Sequence, residues 1–297
     1  MKTNITPEGR ERRTPEGIRL HNPEDFAGMH KAGRFVAECL DMIGEFVVPG
    51  ARTEEIDARI EAFVKDGGAE SATIGYRGYQ HASCISVNHV VCHGIPSSKK
   101  LKDGDILNID VTAVVDGWYG DTSRMYLIGD VPLKARKLVD CTYEAMMRGI
   151  EVVKPGATLG DIGHAIQSHA EGQRYSIVTD FCGHGLGRVF HDNPNVLHYG
   201  NPGEGLALKE GMFFTIEPMV NLGRPETKTL ADDWTAVTRD KSLSAQFEHS
   251  IGVTADGCEI FTLSPAGKSL TFSSTAYTAS SSRPRTCTCR KPGEVPR

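Results

Sequence analysis

Leu101-Lys-Asp-Gly-Asp-Ile-Leu-Asn-Ile-Asp110 and Leu208-Lys-Glu-Gly-Met-Phe-Phe-Thr-Ile-Glu217 are versions of one another, and each ends on a carboxylate. An earlier pair repeats as well: Val48-Pro-Gly-Ala51 leads to Ile56, and Lys154-Pro-Gly-Ala157 leads to Ile162. Ile162 follows Ile56 by 106 residues and Glu217 follows Asp110 by 107, so the spacing holds within one residue across both motifs. Such self-similarity at a fixed step marks an internal duplication of about half the chain. Two copies of an α/β unit related by a pseudo-two-fold axis would bring Asp110 and Glu217 to facing positions, where two carboxylates repel one another or share metal ions.

The elements around these motifs repeat in the same order. From Pro23, the residues Phe26, Met29, Phe35, Val36, Leu40 and Ile43 recur at helical spacing and stop near Val48-Pro49-Gly50. Thr53-Glu-Glu then predicts a second helix with Thr53 as its N-cap and Ile56, Ile60, Phe63 and Val64 on one face. Cys84-Ile-Ser-Val-Asn-His-Val-Val-Cys92 reads as a strand. In the second half come a helix from about Pro132 to Gly149, a Pro155-Gly156 break, a helix from Thr158 to about Glu171, and strands. The fold class expected is α+β, with pseudo-two-fold duplicated halves and helices packed outside a curved antiparallel sheet. Residues 22–265 form the predicted domain, preceded by a polar arm over residues 1–21. A basic Ser/Thr/Pro-rich tail over residues 266–297 lacks apolar periodicity and is expected to be disordered.

Bulk properties bound the function. With 297 residues, 39% hydrophobic and 24% charged, the chain can bury a substantial core. A net charge of −5 gives no reason to expect nucleic acid as a partner. The N-terminus has no apolar signal-peptide core, and no long uncharged apolar run offers a membrane span, so a cytoplasmic protein is expected. Its eight cysteines lack paired Cys-x-x-Cys spacing and read as reduced thiols, with Cys287-Thr-Cys289 too little to make a metal site.

The chemistry concentrates around one hairpin. Asp116-Gly117 is a two-residue turn of the type I′ composition, and it fixes the register of the strands on either side. Thr112 then lies opposite Asp121, with Asp110 diagonal to Asp121 on the same face. Diagonal side chains sit roughly 7 Å apart, close enough for two carboxylates to reach a cation or a pair of cations. Ile109, Val111, Val114 and Val115 indicate a buried hairpin, in which unpaired acids are costly. Gly183-His184-Gly185 places a histidine between glycines, which predicts an accessible imidazole, and Glu217 and Glu248 complete the company. Taken singly, each of these has an ordinary reading as a surface acid or a core histidine. Together, one nitrogen and four carboxylates suit two divalent ions such as Mn, Fe or Co, with Zn also compatible. Ions about 3.5–4 Å apart can share and activate a hydroxide.

The residues quoted so far resemble those of type I methionine aminopeptidases of the bacterial kind, metalloproteases of the pita-bread fold, over about residues 22–264. The resemblance implies that Asp110, Asp121, His184, Glu217 and Glu248 are the metal ligands, with Asp121 and Glu248 bridging two ions. It implies hydrolysis of the bond after an N-terminal Met of nascent peptides when the next residue is small. His93 then lies beside the scissile amide, His191 stabilises the oxyanion and Glu217 shuttles protons. Thr112 would hydrogen-bond near the substrate amine. Thr73, Tyr76, Tyr79, Cys84, Phe190 and Trp234 match the family's methionine pocket, where a thioether against aromatic rings is favourable by up to roughly 1.5 kcal/mol per contact. Two positions depart from the pattern. Thr73 stands where bacterial relatives often carry Cys, and Asp192-Asn193 replaces a more usual Glu-containing pair. A monomer is the default expectation, and a transient ribosome association stays open. Proline-specific aminopeptidases use the same ligand types, but resemble chains with a sizeable additional N-terminal domain. A metal-free peptide-binding module is the rival from another class, and metal content separates the two readings.

Overall fold

Among the described residues, four α-helices and a set of mostly short antiparallel strands build the molecule, and the duplication governs how they are joined. The computed structural model describes residues 12–268; residues 1–11, the tail from residue 269 and Cys287-Thr-Cys289 lie outside them. Helices α1 (Pro23–Ile43) and α2 (Thr53–Asp66) belong to the first half, α3 (Leu133–Glu151) and α4 (Leu159–Gly172) to the second. The Pro-Gly-Ala breaks between the helices of each pair match in detail. Gly50 and Gly156 have φ of 90° and 88°, left-handed values that glycine adopts without penalty. Gly50 N–H donates to Leu101 O at 2.8 Å and Leu101 N–H returns to Ala51 O at 2.9 Å. Gly156 N–H donates to Leu208 O at 3.0 Å and Leu208 N–H to Ala157 O at 2.7 Å. The repeated sequence is therefore a repeated hydrogen-bonding unit, and each copy delivers its chain into the strand that carries Asp110 or leads to Glu217.

Ile106–Val115 and Trp118–Leu127 form the long hairpin, with Asp116 and Gly117 at φ 52° and 77° as a type I′ turn requires. Its register is the one expected: Val115 faces Trp118, Thr112 faces Asp121 and Asp110 faces Ser123. Glu70–Ser71 and Cys84–Val87 pair with successive parts of the outer edge of Ile106–Val115. In the second half, Phe213–Ile216 lies between Gly183–Gly185 and His249–Val253. The halves meet where Ser123 bridges Glu248, with Glu248 N–H donating to Ser123 O at 3.1 Å. Thr122 Oγ1 donates to Glu248 O at 2.7 Å and Ser250 Oγ to Asp121 O, which ties the Asp121 strand to the Glu248 strand.

Each helix pair covers its own core. Val36, Leu40, Ile43, Ile56, Ile60 and Val64 pack on Ile85, Leu107, Ile109 and Val111, while α3 and α4 cover Phe214, Ile216, Val220 and Ile251. At about 1.5–3 kcal/mol for each large apolar side chain buried, these faces supply most of the force holding helices to strands. Close approach of α1 to the hairpin depends on Gly120, whose missing Cβ leaves room for the Ala32 carbonyl.

Local expectations failed in three places. Thr53 is the first helical residue rather than the cap; its hydroxyl donates to Ser97 O at 3.0 Å and accepts from Ser97 N–H at 2.9 Å, so it is spent on a loop. Its duplicate Thr158 does cap, accepting from Asp161 N–H at 3.2 Å. The predicted strand over residues 84–92 is broken into Cys84–Val87 and Val90–Cys92, because Asn88 turns the chain at φ 58°. The expected antiparallel layer is carried by four hydrogen-bonded groups of strands among the described residues. Finally, residues 12–21 are docked: Ile18 is buried, His21 N–H donates to Gly211 O at 2.7 Å, and the His21 ring stacks on Phe213 at 4.0 Å. No helix among the described residues is long and apolar enough to cross a membrane.

Candidate metal centre

Five strand segments converge on one cavity of about 480 Å³. Ile106–Val115 contributes Asp110 and Thr112, Trp118–Leu127 contributes Asp121, and Gly183–Gly185 contributes His184. Glu217 follows Phe213–Ile216, and Glu248 precedes His249–Val253. All five candidate ligands line the cavity, together with His93, His191, Thr73, Tyr76, Tyr79, Cys84, Phe190 and Trp234. Every site residue singled out in the sequence is thus brought to one place.

Asp121, His184 and Glu248 can each offer a donor atom, all within 4.8 Å of one another. His184 Nε2 lies 3.5 Å from Asp121 Oδ2 and 3.8 Å from Glu217 Oε1. Its other nitrogen, Nδ1, faces Gly185 O at 3.1 Å, which orients Nε2 toward the carboxylates as a metal-binding imidazole requires. Contrary to expectation, His184 is buried. The flanking glycines serve close approach instead: a Cβ on Gly183 would meet the Thr215 carbonyl and one on Gly185 the Asn193 carbonyl. The imidazole is reached through the cavity and not from outside.

The charge balance of the cluster is unfavourable without a cation. Burial, then the charges of Asp121 and Glu217, push the Asp110 carboxyl well above the carboxylate range. Burial and the same two neighbours do the same to Glu248. Burial raises Glu217 to about 7, against the opposing pull of His184 and a hydrogen bond from Thr215. Burial alone would depress His184, but Asp121 and Glu217 outweigh it and lift the imidazole to about 9. One imidazole thus faces four carboxylates in a buried cluster, a donor set that divalent cations would neutralise. The residues therefore fit the metal that the sequence implies.

The two remaining histidines stand on either side of this cluster. His93 holds a left-handed φ of 55° and sits edge-on to Phe181 at 5.6 Å and Trp234 at 6.0 Å; burial lowers its pKa. The His191 ring lies 4.2 Å from His184 and stacks on Tyr76 at 5.2 Å, and burial followed by the His184 charge lowers it to about 4. Both are neutral donors near pH 7. Phe190 packs on Tyr76 at 4.9 Å and Tyr79 on Trp234 at 4.9 Å, forming two aromatic walls. The Thr112 hydroxyl donates to Asp121 Oδ1 at 2.7 Å, so it orients a candidate ligand as well as facing the cavity.

Three supporting residues escaped the sequence reading. Thr215 Oγ1 donates to Glu217 Oε1 at 2.7 Å and accepts from His184 N–H at 3.0 Å, joining two candidate ligands. Gln246 Nε2 donates to Glu217 Oε2 at 3.3 Å, and His198 Nε2 accepts Glu217 N–H at 3.1 Å. Thr215 and Gln246 stand two residues before Glu217 and Glu248, a strand period that puts each on the face of its acid. That was the available signal; His198 carried none.

Comparison with known proteins agrees with this geometry. The family model described as metallopeptidase family M24 matches residues 27–255. A methionine aminopeptidase of Rickettsia prowazekii is 58% identical over 249 residues, covering 84% of this chain and 96% of that protein. One from Escherichia coli is 50% identical over 248 residues, covering 83% and 94%. The crystal structure of the Rickettsia prowazekii methionine aminopeptidase matches with a TM-score of 0.82 at 57% identity, covering 83% of this chain and all of that one (100%). A prolidase from Pyrococcus furiosus, 23% identical with a TM-score of 0.66 over 82% of this chain and 65% of its own, shares the fold. With its duplicated halves, its buried His-and-carboxylate cluster and these relatives, the chain belongs to metallopeptidase family M24 and, within it, to the type I methionine aminopeptidases of the bacterial kind.

Proposed function

We propose that this chain removes the initiator methionine from nascent proteins and peptides whose second residue is small, by metal-dependent hydrolysis in the cavity described above. The observation that carries the reading is the convergence of one imidazole and four carboxylates on a pocket walled by Tyr79, Cys84, Phe190 and Trp234. Asp110, Asp121, His184, Glu217 and Glu248 would hold two divalent ions, Co, Mn, Fe or Zn. When bound, such ions supply Lewis acidity, stabilising charge at the scissile carbonyl and acidifying a water toward neutrality. The chain's own residues do the rest. Glu217, which lines the cavity beside His184, carries the proton from the attacking water to the leaving amine. His191, neutral at pH 7, donates a hydrogen bond to the carbonyl oxygen as charge develops there. His93 does the same at the amide side. The methionine side chain lies among Tyr79, Cys84, Phe190 and Trp234, a soft apolar slot that excludes water.

The fold is shared with prolidases, so substrate preference is the discriminating experiment. Release of the free N-terminal residue is measured from Met-Gly and Ala-Pro peptides after chelation and re-addition of Mn(II) or Co(II). Metal-dependent cleavage of the Met peptide alone is expected; cleavage of the Pro peptide alone would favour the prolidase reading, and silence on both a binding module.

A further inference from the structure

A buried carboxylate lies behind the aromatic wall of the cavity, on a helix that contributes nothing else to the site. Asp57 is on α2 and only 6% exposed, beside Ile56 and Ile60, which enter the core. Burial raises its pKa, so an unpartnered acid here would be costly. Both of its oxygens are used, and by one short segment of chain. Ser83 Oγ donates to Asp57 Oδ1 at 2.7 Å, and His81 Nδ1 meets Asp57 Oδ2 at 3.2 Å. Ser83 itself is fully buried, at 0% exposure.

The segment held in this way carries one side of the cavity. Tyr79 O–H donates to Ser83 O at 2.8 Å, with Gly94 O at 3.4 Å, so the phenol spans the anchored segment and the turn just after His93. Thr73 Oγ1 donates to His81 O at 2.7 Å. Gly75 N–H donates to Tyr79 O at 2.7 Å and Tyr79 N–H to Tyr76 O at 2.9 Å, which close the intervening loop on itself. Thr73, Tyr76 and Tyr79 are therefore linked to one another and, through residues 81 and 83, to the α2 carboxylate, while the adjoining Cys84 opens the strand paired with Asp110. Trp234, from outside this segment, packs directly against Tyr79 at 4.9 Å, so the placement of Tyr79 bears on that of the indole and on the shape of the slot they wall.

We propose that Asp57 is a positioning residue for substrate selection: through Ser83 and His81 it fixes the Thr73–Cys84 wall against Trp234 and so sets the fit for an N-terminal methionine side chain. The inference rests on the reading of this cavity as the methionine pocket. A bond to a charged carboxylate is stronger than one between neutral groups, and a rigid wall discriminates by shape where a mobile one adapts.

The metal-loaded enzyme is assayed for kcat and KM on matched peptides beginning with Met and Leu, with metal content measured in parallel. Asp57→Ala is expected to raise KM for the Met peptide about tenfold and to narrow the preference for Met over Leu by a similar factor. kcat should stay within about threefold and metal content unchanged. Asp57→Asn, which keeps an acceptor for Ser83, should recover part of the loss. If Asp57→Ala does not fold, Ser83→Ala is read instead, with a smaller shift in the same direction. Unchanged KM and Met preference in the Asp57 and Ser83 variants, alongside altered selectivity in Trp234→Ala, would overturn the positioning role and leave the pocket reading intact. Unchanged selectivity in Trp234→Ala too would remove the pocket reading and the inference with it. Parallel loss of metal and kcat in the Asp57 variants would also overturn it.

Discussion

Thr215→Val isolates what the support around the candidate ligands contributes. The substitution keeps the β-branch, and so the strand preference, while removing the hydroxyl. Two bonds disappear, the 2.7 Å donation to Glu217 Oε1 and the 3.0 Å acceptance from His184 N–H. A hydrogen bond to a charged group contributes about 1.5–3 kcal/mol, and a buried N–H left without a partner costs about 1–3 kcal/mol. Overlap between the two makes a loss of about 2–4 kcal/mol in metal-free stability the reasonable expectation. The hydroxyl now holds Glu217 down against its burial; without it the carboxyl rises further above 7. A divalent ion must then displace a more tightly held proton, and a tenfold gain in proton affinity starting from a pKa of about 7 is about a fivefold loss of apparent metal affinity at pH 7. Mn(II) binding by calorimetry should therefore weaken about fivefold at pH 7 and recover most of that at pH 8.5, where Glu217 is mostly ionised in either protein. An unchanged Kd at pH 7, or a deficit that persists undiminished at pH 8.5, would refute the reasoning.

Other outcomes follow from the same geometry. Asp121→Ala should lose metal and turnover together, checked by metal analysis and peptide cleavage, since Asp121 lies in the group whose donor atoms fall within 4.8 Å of one another. His93→Ala should keep its metal and lose most turnover, because His93 lines the cavity without being one of the five candidate ligands; equal loss of both would contradict this division. Raised carboxyl pKa values mean the metal-free fold binds protons more tightly than the unfolded chain. Their contribution to stability is present below about pH 4.5 and lost as pH rises through about 7. The rise in Tm on adding Mn(II) should accordingly be larger at pH 7.5 than at pH 5.5, with apparent affinity falling about 20-fold between them from Glu217 alone. Gly120→Ala should cost about 2 kcal/mol or more by denaturant melt, because the new methyl meets the Ala32 carbonyl, a backbone atom that cannot step aside.

Much of the fold was legible because it is written twice. The Pro-Gly-Ala and Lys-x-Gly motifs recur as matched hydrogen-bond pairs at Gly50/Leu101 and Gly156/Leu208, and Asp116-Gly117 alone fixed the register that places Asp110, Thr112 and Asp121 on one face. Where the sequence misled, a tertiary partner had taken the group in question. Ser97 captured the Thr53 hydroxyl, and the left-handed turn at Asn88 split the strand expected over residues 84–92. The docking of Ile18 and His21 depends on a surface built by Phe213 and Gly211, which periodicity near the N-terminus cannot reveal. Candidate ligands were readable because acids and a histidine among apolar strand residues are chemically out of place. Thr215 and Gln246 carried only the two-residue strand period to their acids, and His198 and Asp57 carried no signal, since their importance lies in what they touch.

Anomalous diffraction from crystals equilibrated with Mn(II), recorded at the metal's absorption edge, tests the central assignment most directly. Two peaks are predicted inside the cavity, both bounded by Asp121 and Glu248, one completed by His184 and Glu217 and the other by Asp110. Manganese found only outside this cluster, or none in a protein that still releases methionine, would contradict the account.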